Sequence, residues 1–177
     1  MADTRVMKIT ETITAHPDFP KPGILFRDIF PVLGKPSVFQ DLIDLMLERS
    51  RAKCPAIDLV VGLEARGFLF GTLLALALKV PFVPLRKKGK LPGEVKQVSF
   101  TLEYGTDIIE AQSGSIKPGQ NVLIVDDLLA TGGTMKAACD MVTSMGGKVA
   151  LCLVCIELMD LKGREKVKHP CETIVAF

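Results

Sequence analysis

At 177 residues, 48% of them hydrophobic, the chain is long enough for one domain with a full hydrophobic core. Its 22 basic and 20 acidic residues leave a net charge of +2, which makes no global electrostatic case for nucleic acid; any basic patch must be local. Met1–Ala15 lacks the apolar centre of a secretory signal, and the longest apolar run, Phe68–Leu78, is well short of the ~20 residues that span a bilayer.

In chain order, Arg5–Ala15 reads as a first helix. Pro17, Pro20 and Pro22 then force an extended passage, and Ser37 opens a second helix to about Arg51. Ile57–Gly62 reads as the first central strand, Phe68–Leu78 as its crossover helix and Pro81–Leu85 as the next strand. Arg86–Tyr104 interrupts this rhythm. It carries Arg86-Lys87-Lys88-Gly89-Lys90-Leu91-Pro92-Gly93, followed by a strand candidate at Lys96–Tyr104, and a long surface excursion is more often functional than idle. A short strand at Thr106–Ala111, a central strand from Asn121, a helix at Met135–Met145 and strands at Lys148–Glu157 and Thr173–Phe177 complete the pattern. The alternation, without internal repeats, predicts a single α/β domain with a central, mostly parallel β-sheet flanked by helices, its ligand at the carboxyl ends of the strands.

Five cysteines, an odd number without a disulfide rhythm, point to a cytoplasmic protein. Cys152 and Cys155 form a CxxC inside a strand pattern, where residues three apart face opposite ways, so they read as two buried thiols and not as half a zinc site. His16 and His169 are far apart and each precedes a proline, which suggests no His-based chemistry.

The most informative segment is Asn121–Thr134. The continuously apolar Val122–Val125 reads as a buried strand that ends in Asp126 and Asp127, and Ala130-Thr131-Gly132-Gly133-Thr134 opens the next helix. Backbone N–H groups at a helix start lack intrahelical partners and face the positive end of the dipole, so they can take up a phosphate, with the glycines allowing close approach. The two acids beside it can accept hydrogen bonds from a ribose diol or organise water around a metal. Either acid alone would be an ordinary solvated strand end. A second anion-ready loop, Gly62-Leu63-Glu64-Ala65-Arg66-Gly67, follows the first central strand. Phe68 and Leu69 stand where a nucleotide-triphosphate loop needs Lys and Ser or Thr, so that reading fails and one guanidinium at a helix start remains. Two such loops suit a substrate with phosphate at each end.

Apolar strand, paired acids and Ala130–Thr134 together resemble the phosphoribosyl diphosphate (PRPP) signature of type I phosphoribosyltransferases. Asp18-Phe19-Pro20-x-Pro22-Gly23-x-x-Phe26-Arg27-Asp28, Ala65-Arg66-Gly67-Phe68, Arg86-Lys87-x-Gly89-Lys90-Leu91-Pro92-Gly93, Leu102-Glu103-Tyr104-Gly105 and Leu128–Thr134 narrow the likeness to the adenine phosphoribosyltransferases. It extends over nearly the whole chain. The resemblance implies transfer of the phosphoribosyl group of PRPP to adenine, with Mg²⁺ bridging substrate oxygens and bound by no protein ligand directly, though Asp126 or Asp127 can meet it through water. It implies ribose and 5′-phosphate binding by Asp126, Asp127, Ala130, Thr131, Gly132, Gly133 and Thr134. Diphosphate falls to Glu64, Ala65, Arg66, Arg86 and Lys90, with a cis peptide joining Glu64 and Ala65. Leu25 and Arg27 read the adenine edge through backbone groups, Phe26 and Leu128 or Leu129 sandwich the ring, and Glu103 handles the purine proton, with Arg66 also catalytic. Residues 1–35 form a hood for the base, 86–106 a flexible lid and 121–145 the PRPP strand-loop-helix, in a homodimer without nucleic-acid or membrane partners. Glu64 and Ala65 stand where some relatives carry Asp and Ser. The alternatives are a transferase for another base (hypoxanthine or guanine, xanthine, orotate) and a non-catalytic PRPP-binding regulator.

Overall fold

Asp3 starts the first helix: its carboxylate accepts a hydrogen bond from the Arg5 backbone N–H at 2.9 Å and caps α1 (Thr4–Thr12). The computed structural model describes residues 3–102 and 105–177. Helix α1 is shorter than the Arg5–Ala15 reading, because Ile13 is extended and Thr14–Pro17 forms β1, paired antiparallel with β2 (Leu25–Asp28). Pro17 disfavours the helical region at His16, and pairing with Leu25–Asp28 takes the segment into a strand. Between the strands the Phe19–Pro20 peptide is cis, and the Asp18 carboxylate accepts from the Gly23 N–H at 2.7 Å. A short helix α2 (Phe30–Leu33), with a proline in its first turn, precedes α3 (Pro36–Lys53). The chain divides into two compact units, Met1–Leu45 and Met46–Phe177.

The second unit is built on a seven-stranded sheet: β3 (Leu59–Leu63), β4 (Phe82–Lys87), β5 (Val95–Leu102), β6 (Gly105–Gln112), β7 (Asn121–Leu129), β8 (Lys148–Glu157) and β9 (Cys171–Ala176), in the order β5-β6-β4-β3-β7-β8-β9. Strands β4, β3, β7, β8 and β9 run parallel, and β6 and β5 continue the sheet antiparallel, as the α/β reading requires. The sheet interior is apolar on both faces because α4 (Gly67–Leu78) and α5 (Gly133–Ser144) pack on it. Val61, Ile124, Cys152 and Val154 join Ala138, Met141 and Val142 of α5 in one buried cluster. The CxxC behaves as the strand period dictates: the Cys152 Sγ lies 3.5 Å from Cys139 of α5, whereas Cys155 meets Met46 at 3.7 Å.

Two further differences from the sequence reading bear on the site. Strand β7 does not stop at the acids; it continues through Asp126, Asp127 and Leu128 to Leu129, because β8 is long enough to pair with it as far as Glu157. The excursion after Arg86 is an edge hairpin of two eight-residue strands, β5 and β6, in register from Val95↔Gln112 to Phe100↔Asp107 and beyond.

Candidate active site

Parallel pairing of β3 with β7, in register at Gly62↔Val125, brings the carboxyl ends of these strands side by side, so the loops that follow them share one mouth. A cavity of about 310 Å³ opens there. It is lined by Glu64, Ala65 and Arg66 from the loop after β3 and by the continuous segment Asp126–Met135 from the end of β7 into α5. Two loops far apart in sequence are thus joined, and the Glu64–Ala65 peptide is cis, as the resemblance implied.

Helix α5 begins without a side-chain cap: its N-cap is Gly132, at φ 78°, and no hydroxyl of the loop bonds the first-turn N–H groups. The loop that carries those donors lines the cavity. Arg66 occupies the equivalent place before α4 and its Nε donates to Asp127 Oδ2. Asp127 is 7% exposed and so is not a solvated strand end, whereas the Arg66 side chain keeps about a third of its surface in solvent. Asp126 is held differently. Its Oδ1 accepts from the Asp127 backbone N–H at 2.9 Å, and burial, reinforced by the neighbouring Asp127 charge, pushes its carboxyl well above the usual range. Strand alternation puts Leu128 on the more open face while Leu129, 1% exposed, belongs to the core, so Leu128 has the free surface to offer a flat ring.

Glu64, Arg86 and Lys90 form a second constellation. Glu64 Oε1 accepts from Lys90 Nζ at 2.7 Å, Oε2 accepts from the Lys87 N–H at 2.9 Å, and Arg86 approaches both oxygens at 3.3 Å. Two of the three cations assigned to diphosphate, Arg86 and Lys90, are therefore gathered on an acid of the same chain beside the cavity. Burial raises the Glu64 carboxyl, but the bonds from Lys90, Lys87 and Arg86 outweigh it and hold the group at about 2. A carboxylate depressed below its ordinary 4.5 stabilises the fold above that value, and the contribution drains away as pH falls from 4.5 toward 2. Lowering a carboxyl by one pH unit corresponds to about 1.4 kcal/mol, and solvent around the half-exposed cations screens part of the effect, so roughly 1–2 kcal/mol is expected. Urea denaturation of wild type and Glu64→Gln should differ by that amount at pH 7 and converge near pH 2–3; a gap that persists at pH 2 would assign the stabilisation elsewhere.

Glu110, which sequence reading passed over, anchors this group. It is 1% exposed, and its carboxylate accepts from the N–H groups of Lys90 and Leu91 at 2.9 and 3.0 Å and from Gln97 Nε2 at 3.2 Å. The signal available was an acid flanked by Ile108, Ile109 and Ala111, where a solvated charge has no reason to stand. Leu25, Phe26 and Arg27 lie in β2 of the first unit, with the Phe26 ring edge-on to Phe19 at 5.1 Å. Glu103 lies outside the described residues.

Comparison with known proteins gives consistent results. Residues 32–175 match the family model of the phosphoribosyl transferase domain. Adenine phosphoribosyltransferase 1 of Triticum aestivum is 52% identical over 166 residues, 94% of this chain and 91% of the relative. The adenine phosphoribosyltransferase of Homo sapiens is 46% identical over 168 residues, covering 94% and 93%. Among solved structures, adenine phosphoribosyltransferase from Saccharomyces cerevisiae, complexed with an imino-altritol bisphosphate and adenine, superposes with a TM-score of 0.94 at 43% identity, covering 97% of this chain and 99% of that one.

Proposed function

The chain belongs to the phosphoribosyltransferase family, and from that premise we propose that it transfers the 5-phosphoribosyl group of PRPP to adenine, giving AMP and diphosphate. The observation that carries this reading is the cavity in which an uncapped helix start, two acids and Arg66 converge. The loop Ala130–Thr134 receives the 5′-phosphate on its amides, Asp126 and Asp127 accept from the ribose diol, and Ala65 and Arg66 take the diphosphate at C1. Adenine stacks against Leu128, whose open apolar face suits a flat ring.

The reaction is displacement at C1 through an oxocarbenium-like state. The protein positions N9 opposite the leaving group, and Arg66 balances the charge that develops on diphosphate. Arg86 and Lys90 supply further positive charge once diphosphate competes with Glu64 for them, and Glu103 manages the purine proton. Magnesium would be met by Asp126 or Asp127 through water and would supply positive charge against diphosphate.

A homodimer is supported by Leu69, Leu73 and Leu76, which leave an exposed apolar stripe along α4 at helical spacing. Location in the cytoplasm is supported by five free thiols, and no helix among the described residues is long and apolar enough to cross a membrane.

Asp126→Asn and Asp127→Asn should each weaken PRPP use by ~1–3 kcal/mol, read as kcat/KM, and leave adenine binding less affected. Asp127→Asn should cost more because it also releases Arg66. If neither change moves the PRPP kinetics, the acids serve only the fold. A competition assay with PRPP, Mg²⁺ and equimolar adenine, hypoxanthine, guanine, xanthine and orotate tests the choice of base: AMP should dominate, and a predominant product from another base would overturn it.

A further inference from the structure

Against the loop Ala130–Thr134 packs a turn that follows β8 and contributes no residue to the lining of the cavity. Its two short 3-10 segments, Met159–Leu161 and Gly163–Lys166, meet at Lys162, and Gly163 is buried. The two backbones touch with no side chain between them. A Cβ on Gly163 would overlap the Ala130 carbonyl oxygen and stand 2.9 Å from the Gly132 nitrogen, and a Cβ on Gly132 would overlap the Gly163 carbonyl oxygen. Unlike Gly132, Gly163 has no positive φ, so its backbone would accept alanine and only the contact forbids it.

The turn is itself fixed at its root. Leu158 N–H donates to the Leu129 carbonyl at 3.0 Å, the last residue of β7 before the loop. Arg164 then clamps two strand ends: its Nε donates to Glu157 Oε1 at 3.0 Å, its Nη2 to the other oxygen, and its Nη1 to the Cys171 carbonyl. Glu157 is the register partner of Leu129, and its side chain is 4% exposed. A bidentate guanidinium on a buried carboxylate is a stiff link.

We infer that Gly163 and Arg164 are positioning residues for the 5′-phosphate loop, setting where the Ala130–Thr134 amides stand. The inference rests on the proposed assignment of that loop to the 5′-phosphate. An added methyl at position 163 must displace the loop backbone, and displacement of binding groups by about 1 Å costs up to ~10²-fold. The effect should be confined to the ligand end that the loop holds, because the atoms nearest to that methyl belong to Ala130 and Gly132 and not to the diphosphate loop Glu64–Arg66.

Calorimetric titration of wild type, Gly163→Ala and Arg164→Lys with ribose 5-phosphate and, separately, with Mg²⁺-diphosphate tests this. Gly163→Ala should weaken ribose 5-phosphate about 10- to 100-fold while diphosphate stays within about twofold. Arg164→Lys, which keeps the charge but not the fork, should show the same selectivity at a few-fold, and it decides the matter if the alanine variant does not fold by circular dichroism. Unchanged ribose 5-phosphate affinity in both variants, or equal weakening of both ligands, would overturn the positioning role. Failure of wild type itself to bind ribose 5-phosphate would instead overturn the assignment of the loop, and the inference with it.

Discussion

Gly132→Val is expected to abolish measurable PRPP turnover. Two independent costs act at one position. The residue sits at φ 78°, where a β-branched side chain is strained by at least ~1–2 kcal/mol, and its Cβ would overlap the Gly163 carbonyl oxygen. The loop must therefore move, and because the amides of Ala130–Thr134 are the proposed phosphate donors, the loss should exceed ~10²-fold in kcat/KM for PRPP. Sequence alone suggests that valine would block the phosphate directly. The structure gives another direction: the side chain points at the turn packed against the loop, and the phosphate site is lost by displacement. Circular dichroism should show a folded protein with a lowered Tm. Normal turnover in that folded variant would remove the loop from the site.

Arg66→Ala carries the second large effect. Arg66 stands at the start of α4 against Asp127, so its removal takes a guanidinium from the proposed diphosphate pocket and leaves a carboxylate with 7% exposure to find another partner. Loss of a charge-stabilising donor of this kind costs ~3–4 kcal/mol, or about 10²–10³ in kcat/KM. The unpaired Asp127 should add about 1–3 kcal/mol of lost stability. Arg66→Lys should restore part of the stability and less of the activity, because an ammonium cannot reproduce the planar fork. The double variant Arg66→Ala/Asp127→Asn separates the two: stability should recover toward wild type while turnover stays low. Near-normal turnover in the single variant would show that the guanidinium serves the fold and not the leaving group.

Where the chain is uniformly apolar, its structure is legible from sequence. Lys148–Glu157 was readable to the residue as β8, and Phe68–Leu78 differs from α4 only by Gly67. Legibility failed where pairing partners decide. Thr14–Pro17 looks like the tail of a helix and becomes a strand because Leu25–Asp28 is there to pair with it. Asp126 and Asp127 look like a strand's end and lie inside one because β8 continues beside them. The loop Ala130–Thr134 was readable as the opening of α5 because its glycines and hydroxyls are contiguous. Its surroundings were not: Arg66 meets Asp127 across 61 positions, Lys90 meets Glu64 across 26, and the turn at Gly163 makes its contact through backbone atoms, which leave no mark in residue type beyond a glycine.

In the proposed function PRPP binds with its phosphates on the amides after β3 and β7. The most direct measurement is an amide ¹H–¹⁵N spectrum of the labelled protein, titrated with PRPP and Mg²⁺. Ala130–Thr134 and Ala65–Arg66 should shift together and saturate with one affinity, and their hydrogen exchange should slow, as amides engaged by phosphate do. Saturable PRPP binding that leaves these amides unmoved would contradict the account.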